Sequence, residues 1–253
     1  MLRSVQWNIG GGKIHAEGAE EGAYTEDGLA YIIEILKSLN PDIIMLQETH
    51  ANDPLIQAEQ IAKGLGFSFW LNDVYDRSHL EEGQGLGQAI LSKFPLHDHV
   101  FQFFMNPGWR RVWEDRHEDG AHNKGATTCL VDLPDGVVLQ AKTCHSVPCR
   151  KFGKDAFSEE VASLRESMST LCRPTHFPSL LLGDFNYNAP GISKFLPGIF
   201  TEGVDEVLIQ EPTTPKGRTY DHVVYGGLKH LKTSVISSVR TDHYPVVSEF
   251  GLE

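Results

Sequence analysis

On extended backbone every second side chain points the same way, so acids, amides and imidazoles at the end of an apolar strand can be gathered into one site. The sharpest such place is Leu180-Leu181-Leu182-Gly183-Asp184-Phe185-Asn186, an apolar run that stops at a glycine and then presents an acid and an amide. Asp184 and Asn186 are expected to face one way, with Phe185 turned into the core. The plainer alternative is a strand-end turn in which both only bond nearby backbone. Pro41 to Glu48 repeats the design with a buried run ending in Gln47-Glu48. A carboxylate there suits a hard cation such as magnesium, which takes one or two protein carboxylates and keeps several waters; alone, Glu48 would read as a solvated surface acid. Trp7-Asn8 closes a third strand, where the amide either completes a metal shell, bonds an anionic oxygen or satisfies a turn.

Acid and base chemistry needs imidazoles held by carboxylates. Thr241-Asp242-His243 lies just before the terminal strand, and Tyr220-Asp221-His222 opens another. His145 follows Lys142-Thr143-Cys144, placed to protonate a leaving oxygen or bind an anion. Any one of the 12 histidines taken singly is more simply a surface or hydrogen-bonded residue.

These residues run from Asn8 to His243, so folding must bring them together. Strand-length apolar runs occur at 2–9, 42–47, 86–91, 126–133, 137–141, 180–182, 220–225 and 246–250. Helical spacing is clearest for Leu29, Ile32, Ile33, Leu36 and Leu39, ended by Asn40-Pro41, and weaker over 54–65 and 156–172. Many strands and few helices predict an α/β sandwich. With 253 residues, 40% hydrophobic, and no repeat or linker, residues 1–253 are expected to form one domain. A net charge of -12 repels long polyanions and makes a small phosphorylated substrate easier to accommodate than a duplex, although carboxylates around a bound cation contribute to that total. Four cysteines without paired CxxC spacing read as reduced and structural. The absence of a charged-then-apolar leader or bilayer-length apolar run leads us to expect a soluble, cytoplasmic protein with no membrane insertion and no obligate protein partner.

Taken in order, Trp7-Asn8-Ile9, Leu46-Gln47-Glu48, Ala89-Ile90-Leu91-Ser92-Lys93-Phe94-Pro95, His145, Gly183-Asp184-Phe185-Asn186, Tyr220-Asp221-His222 and Thr241-Asp242-His243 resemble the motif series of the endonuclease/exonuclease/phosphatase superfamily, the DNase I-like phosphoesterases. The resemblance spans nearly the whole chain. It implies a DNase I-like four-layer sandwich, two packed mainly antiparallel β-sheets flanked by helices. It also implies a hydrolase of phosphate esters that uses Mg2+ or Mn2+ and in-line attack by water. By similarity, Asn8, Glu48 and Asp242 sit at the metal, Asp184 aligns or activates water, and Asn186 stabilises the phosphate. Asp221 holds His243, which helps to activate water or stabilise the pentacoordinate phosphate, and His145 contacts phosphate or assists the leaving group. Thr241 stands where the family more often has Ser, and Cys144 where it often has Thr; neither removes a catalytic group.

Substrate signals are weaker. The irregular stretch 106–124 contains Trp109, Arg110, Trp113, His117 and His122; an Arg between aromatics suits a base or a phosphate, while Trp side chains also anchor loops to a core. Arg150 and Lys151 are further substrate-binding candidates or plain surface charges. Gly83-Gln84-Gly85-Leu86-Gly87 precedes a strand, which favours a hairpin over a phosphate cradle, and Gly10 to Gly12 should turn the chain sharply beside Asn8. The first expectation is a phosphodiesterase acting on nucleic acid, a nucleotide or another small diester. The second is a phosphomonoesterase or phosphoinositide phosphatase: Tyr187 after Asn186 is faintly similar to inositol-polyphosphate phosphatases, but Arg218-Thr219-Tyr220-Asp221-His222 replaces the Trp-Cys-Asp-Arg signature expected there. A non-catalytic binding module on the same fold is the third.

Overall fold

The computed structural model describes residues 1–18, 23–53, 55–112 and 118–252. In chain order the strands are β1 (Leu2–Asn8), β2 (Lys13–His15), β3 (Tyr24–Asp27), β4 (Ile43–Ala51), β5 (Phe69–Arg77), β6 (Gly85–Ser92), β7 (Leu96–Phe103), β8 (Arg110–Val112), β9 (Glu118–Gly120), β10 (Gly125–Asp132), β11 (Val138–His145), β12 (Ser179–Asp184), β13 (Val204–Glu206), β14 (Asp221–Gly226), β15 (Leu228–Val235) and β16 (Val246–Leu252). The α-helices are α1 (Leu29–Leu39), α2 (Gln57–Leu65) and α3 (Ala162–Cys172).

Two six-stranded sheets form, ordered β15-β16-β1-β4-β6-β5 and β13-β14-β12-β11-β10-β7. Only β1 with β4 and β11 with β12 pair in parallel within them, so both are mainly antiparallel, as expected. Alternation along the strands divides their apolar residues between layers. Ile43 and Met45 meet Leu180, Leu182 and Val223 between the sheets. Ile44 and Leu46 point outward under Ile32 and Leu36 of α1 and Ile61 of α2. On the far side Leu181 and Val224 pack under Leu164 and Met168 of α3. The result is the predicted four-layer order of helices, sheet, sheet and helix, in which each sealed Leu or Ile contributes about 1.5–3 kcal/mol. Asn40 at φ 45 and Gly66 at φ 72 end α1 and α2 in the left-handed conformation that caps helices.

The eight predicted strands form, but β5, β7, β13 and β15 of the two large sheets were not anticipated. All four are sheet edges, whose solvent-facing residues such as Arg77, Asp98, Asp205 and Lys232 break the apolar pattern. Gly83 lies in the turn of the predicted hairpin between β5 and β6, and Gly85 and Gly87 open β6. No described helix is long and apolar enough to cross a membrane.

Candidate active site

Inner-face residues change character along each strand. Leu2, Ser4, Gln6 and Asn8 succeed one another on β1, and Ala141, Thr143 and His145 on β11. The layer between the sheets is therefore apolar at one end, amide and hydroxyl in the middle, and ionisable at the mouth. Register sets the mouth: His145 lies opposite Asp184, and Asp184 opposite Asp221, on three adjacent strands. Across the gap, Asn8 of β1 pairs with Gln47 of β4. The next residue, Glu48, is skipped in the β4–β6 ladder and has φ 53; this bulge re-aims its carboxylate.

A cleft of about 400 Å3 gathers Asn8, Glu48, His145, Asp184, Asn186, Asp242 and His243. Asn8 Nδ2 donates to Asp184 Oδ2 at 3.0 Å, and the Asn186 backbone N–H donates to Asp184 Oδ1 at 2.8 Å. Asp184 Oδ2 stands 3.5 Å from His145 Nε2 and 3.8 Å from His243 Nε2. His243 Nδ1 bonds Asp221 Oδ2 at 2.8 Å, which fixes the ring. Asn186 Nδ2 is turned to the Ser146 carbonyl at 3.1 Å while the residue lines the cleft. Gly10 to Gly12 make the sharp turn expected, each with positive φ. A Cβ on Gly11 would stand 2.4 Å from the His50 ring, so glycine is required by contact as well as by backbone.

Burial disfavours charge on His243, yet Asp221 and Asp184 outweigh it and raise its pKa well above the usual value. Burial, reinforced by Asp221 and opposed by His243, lifts Asp184 to about 7. Burial and then Lys124 hold the His145 pKa well below its usual value. Burial also works against ionised Glu48, but Lys124, His79, His243 and the Asn8 amide leave its pKa lowered.

Beneath the mouth, Gln6 and Gln47 exchange amide hydrogen bonds; Gln6 Nε2 also donates to Asp221 Oδ1 at 3.1 Å and Gln47 Nε2 to Thr143 Oγ1 at 2.8 Å. This amide pair ties one sheet to the other directly behind the His243–Asp221 pair.

Several cleft residues lay outside the sequence expectations. Lys124, 4% exposed, donates to His145 Nδ1 at 2.9 Å, and the Tyr75 hydroxyl reaches the same nitrogen at 3.0 Å. Burial lowers Lys124 to about 8 despite Glu48 and Asp184 nearby. His79, His122, Lys151 and Lys216 also line the cleft. Lys151 fits the substrate expectation by position, though Asp119 pairs with it; Arg150 opens on an adjoining pocket. Trp109 and Arg110 do not line the cleft. Trp109 packs beside Phe152, as a loop anchor does, and Arg110 is exposed and paired with Glu118 at 2.9 Å. Trp113 and His117 lie outside the described residues.

Among the described residues no group of three or more His, Cys, Asp or Glu side chains is arranged to hold a metal. Besides Asp184, the cleft offers the carboxylates of Glu48 and Asp242 and the Asn8 amide. Burial first, and Glu48 among its neighbours, raise the pKa of Asp242. Two half-buried carboxylates that repel each other fit a hard dication that keeps most of its waters.

The sequence profile of the Endonuclease/Exonuclease/phosphatase family matches residues 5–243. The chain belongs to this family. An endonuclease/exonuclease/phosphatase from Beutenbergia cavernae DSM 12333 has a similar structure, with TM-score 0.75 and 17% identity over 99% of this chain and 71% of that one. The human Nocturnin catalytic domain with bound sulfate anion has TM-score 0.67 and 16% identity, covering 100% of this chain and 93% of that one. At these identities the likeness shows the shared fold. A UPF0294 protein of Yersinia enterocolitica is 26% identical over 134 residues, 51% of this chain and 48% of the relative. The chain thus spans about half the length of the curated relatives it matches.

Proposed function

We propose that this member of the endonuclease/exonuclease/phosphatase family is a divalent-metal-dependent phosphodiesterase that hydrolyses a small phosphate diester by in-line attack of water. The observation that carries this reading is the meeting of Asp184 Oδ2 with Asn8, His145 and His243 within 3.0 to 3.8 Å, beside Glu48 and Asp242. Asp184, with a pKa near 7, is suited to take a proton from water at neutral pH. The water oxygen bonds to phosphorus as the ester P–O bond breaks, and the departing oxygen is protonated by solvent. The His243 imidazolium and Lys124 offer N–H donors where charge grows on phosphoryl oxygens. Asn8, Glu48 and Asp242 would hold Mg2+ or Mn2+, which neutralises phosphate charge when bound.

The cleft volume of about 400 Å3 and the charge of -12 support a small substrate over a long nucleic acid. Lys124, Lys151 and Lys216 support a second reading, phosphomonoester hydrolysis, because a monoester carries the higher charge. A panel comparing an activated diester, a monoester, abasic duplex, single-stranded DNA and RNA, and phosphoinositides, with Mg2+ or Mn2+, tests both. Cleavage abolished by chelator and by Asp184→Ala is expected, fastest on the small diester. Faster monoester cleavage would replace the first reading by the second, and silence from folded protein would leave a binding module.

A further inference from the structure

A second pocket, of about 350 Å3, adjoins the catalytic cleft and shares Lys216, Asp242 and His243 with it. Its other wall carries Arg150 and Arg218, with Tyr220 beside them. Lys13, Lys93, Lys151, Lys154, Arg3 and Arg110 have carboxylate partners, whereas cations such as Arg77, Lys194 and Lys232, scattered over the described surface, do not. Among the described residues, Arg150, Lys216 and Arg218 have none, and Asp242 is the only carboxylate lining the pocket. In a chain with 34 acids against 22 lysines and arginines, what sets these three apart is that they gather around one concavity.

Their backbone is also held in advance. The turn presenting Lys216 and Arg218 is closed by Thr213 N–H to Arg218 O at 2.8 Å, Gly217 N–H to Thr214 O at 3.1 Å and Arg218 N–H to Thr214 Oγ1 at 3.1 Å, with Gly217 at φ 70. Thr219 N–H is tied to Asn188 Oδ1 at 2.9 Å, behind the same turn. Arg150 sits on the 3-10 turn Cys149–Phe152, closed by Gly153 at φ 68. Cations on ordered backbone lose less entropy on gripping an anion than cations on a loose loop, and guanidinium groups match phosphate oxygens in pairs.

We infer that Arg150, Lys216 and Arg218 form a second phosphate subsite, so that the substrate is a small molecule with one phosphate in the catalytic cleft and another in this pocket. The inference rests on reading the cleft as a phosphoester site and adds the substrate class to it. Calorimetric titration of Asp184→Asn protein, in which turnover is blocked, would compare adenosine 3′,5′-bisphosphate with adenosine 5′-monophosphate in Mg2+. The bisphosphate should bind at least about tenfold more tightly, as one further charge-assisted contact allows. Arg150→Gln/Arg218→Gln should erase that difference while the monophosphate affinity changes less than about twofold. Equal affinities, or a preference that survives the double substitution, overturns the subsite. Tighter binding of a phosphorylated dinucleotide than of the bisphosphate would place the second phosphate in a nucleic-acid chain and overturn the small-molecule class. These binding results stand apart from the wild-type hydrolysis panel, where absence of turnover counts against the proposed reaction alone.

Discussion

The Nδ1 of His243 and the Oδ2 of Asp221 lie 2.8 Å apart, and the carboxylate is fully buried. Asp221 is the largest influence raising the His243 pKa against burial. Asp221→Asn should therefore lower the His243 pKa, measured by NMR titration. It should also reduce kcat by about 10²–10⁴-fold, the usual worth of a positioned acid–base group. An unchanged His243 titration would show that the pair does not set its charge.

Asp184 ionises near pH 7, so a role as base requires activity to rise with pH through that region and to fall on the acid side. The pH–rate profile should show an acid limb with a midpoint at or below about 7. Asp184→Ala should lose at least about 10²-fold in turnover while circular dichroism remains native. A flat profile across that range would remove Asp184 from the proton transfer.

Lys124 is the cation against His145. Lys124→Met should raise the His145 pKa, because a positive neighbour is removed, and reduce kcat by about 10²-fold if the ammonium stabilises developing charge. Full activity with a raised His145 pKa would restrict Lys124 to setting the state of its neighbour.

His222 is buried against Phe185, with Nε2 bonded to the Tyr187 carbonyl at 2.9 Å. Burial lowers its folded pKa below the ordinary value, so the unfolded chain binds protons more readily. This contribution is fully present above about pH 6.5 and is lost as pH falls toward the folded pKa, at up to about 1.4 kcal/mol per pH unit for one proton. Urea midpoints at pH 7.5 and 5.5 should converge in His222→Gln relative to wild type.

Gln6→Ala should cost about 1–3 kcal/mol in urea unfolding, because Gln47 and Asp221 each lose a buried hydrogen-bond partner. Loss of activity at temperatures where the protein remains folded would show that the amide pair also orients Asp221.

Glu48 and Asp184 were legible because each follows an apolar run, a pattern visible in Leu46-Gln47-Glu48 and Leu182-Gly183-Asp184 alike. Lys124 was not, since it ends an irregular stretch and only its position before β10 puts it against His145. Tyr75 escaped notice because it lies on an edge strand with weak apolar patterning, although it is only 4% exposed. Gln6 was hidden by its neighbours: Val5 and Trp7 mark a strand, but only the second sheet reveals that the polar residue between them faces Asp221. For Trp109 the sequence left two readings open, because an aromatic beside an arginine gives the same signal whether it binds substrate or anchors a loop, and its packing beside Phe152 matches the second.

Glu48 occupies left-handed backbone at φ 53, a region in which a residue with a Cβ is held at a cost of about 1–3 kcal/mol. Glycine would relax that backbone while removing the carboxylate. Fold stability and the proposed metal-holding role thus favour different residues at this position, and a library screened for thermal tolerance alone would drift toward protein without this carboxylate.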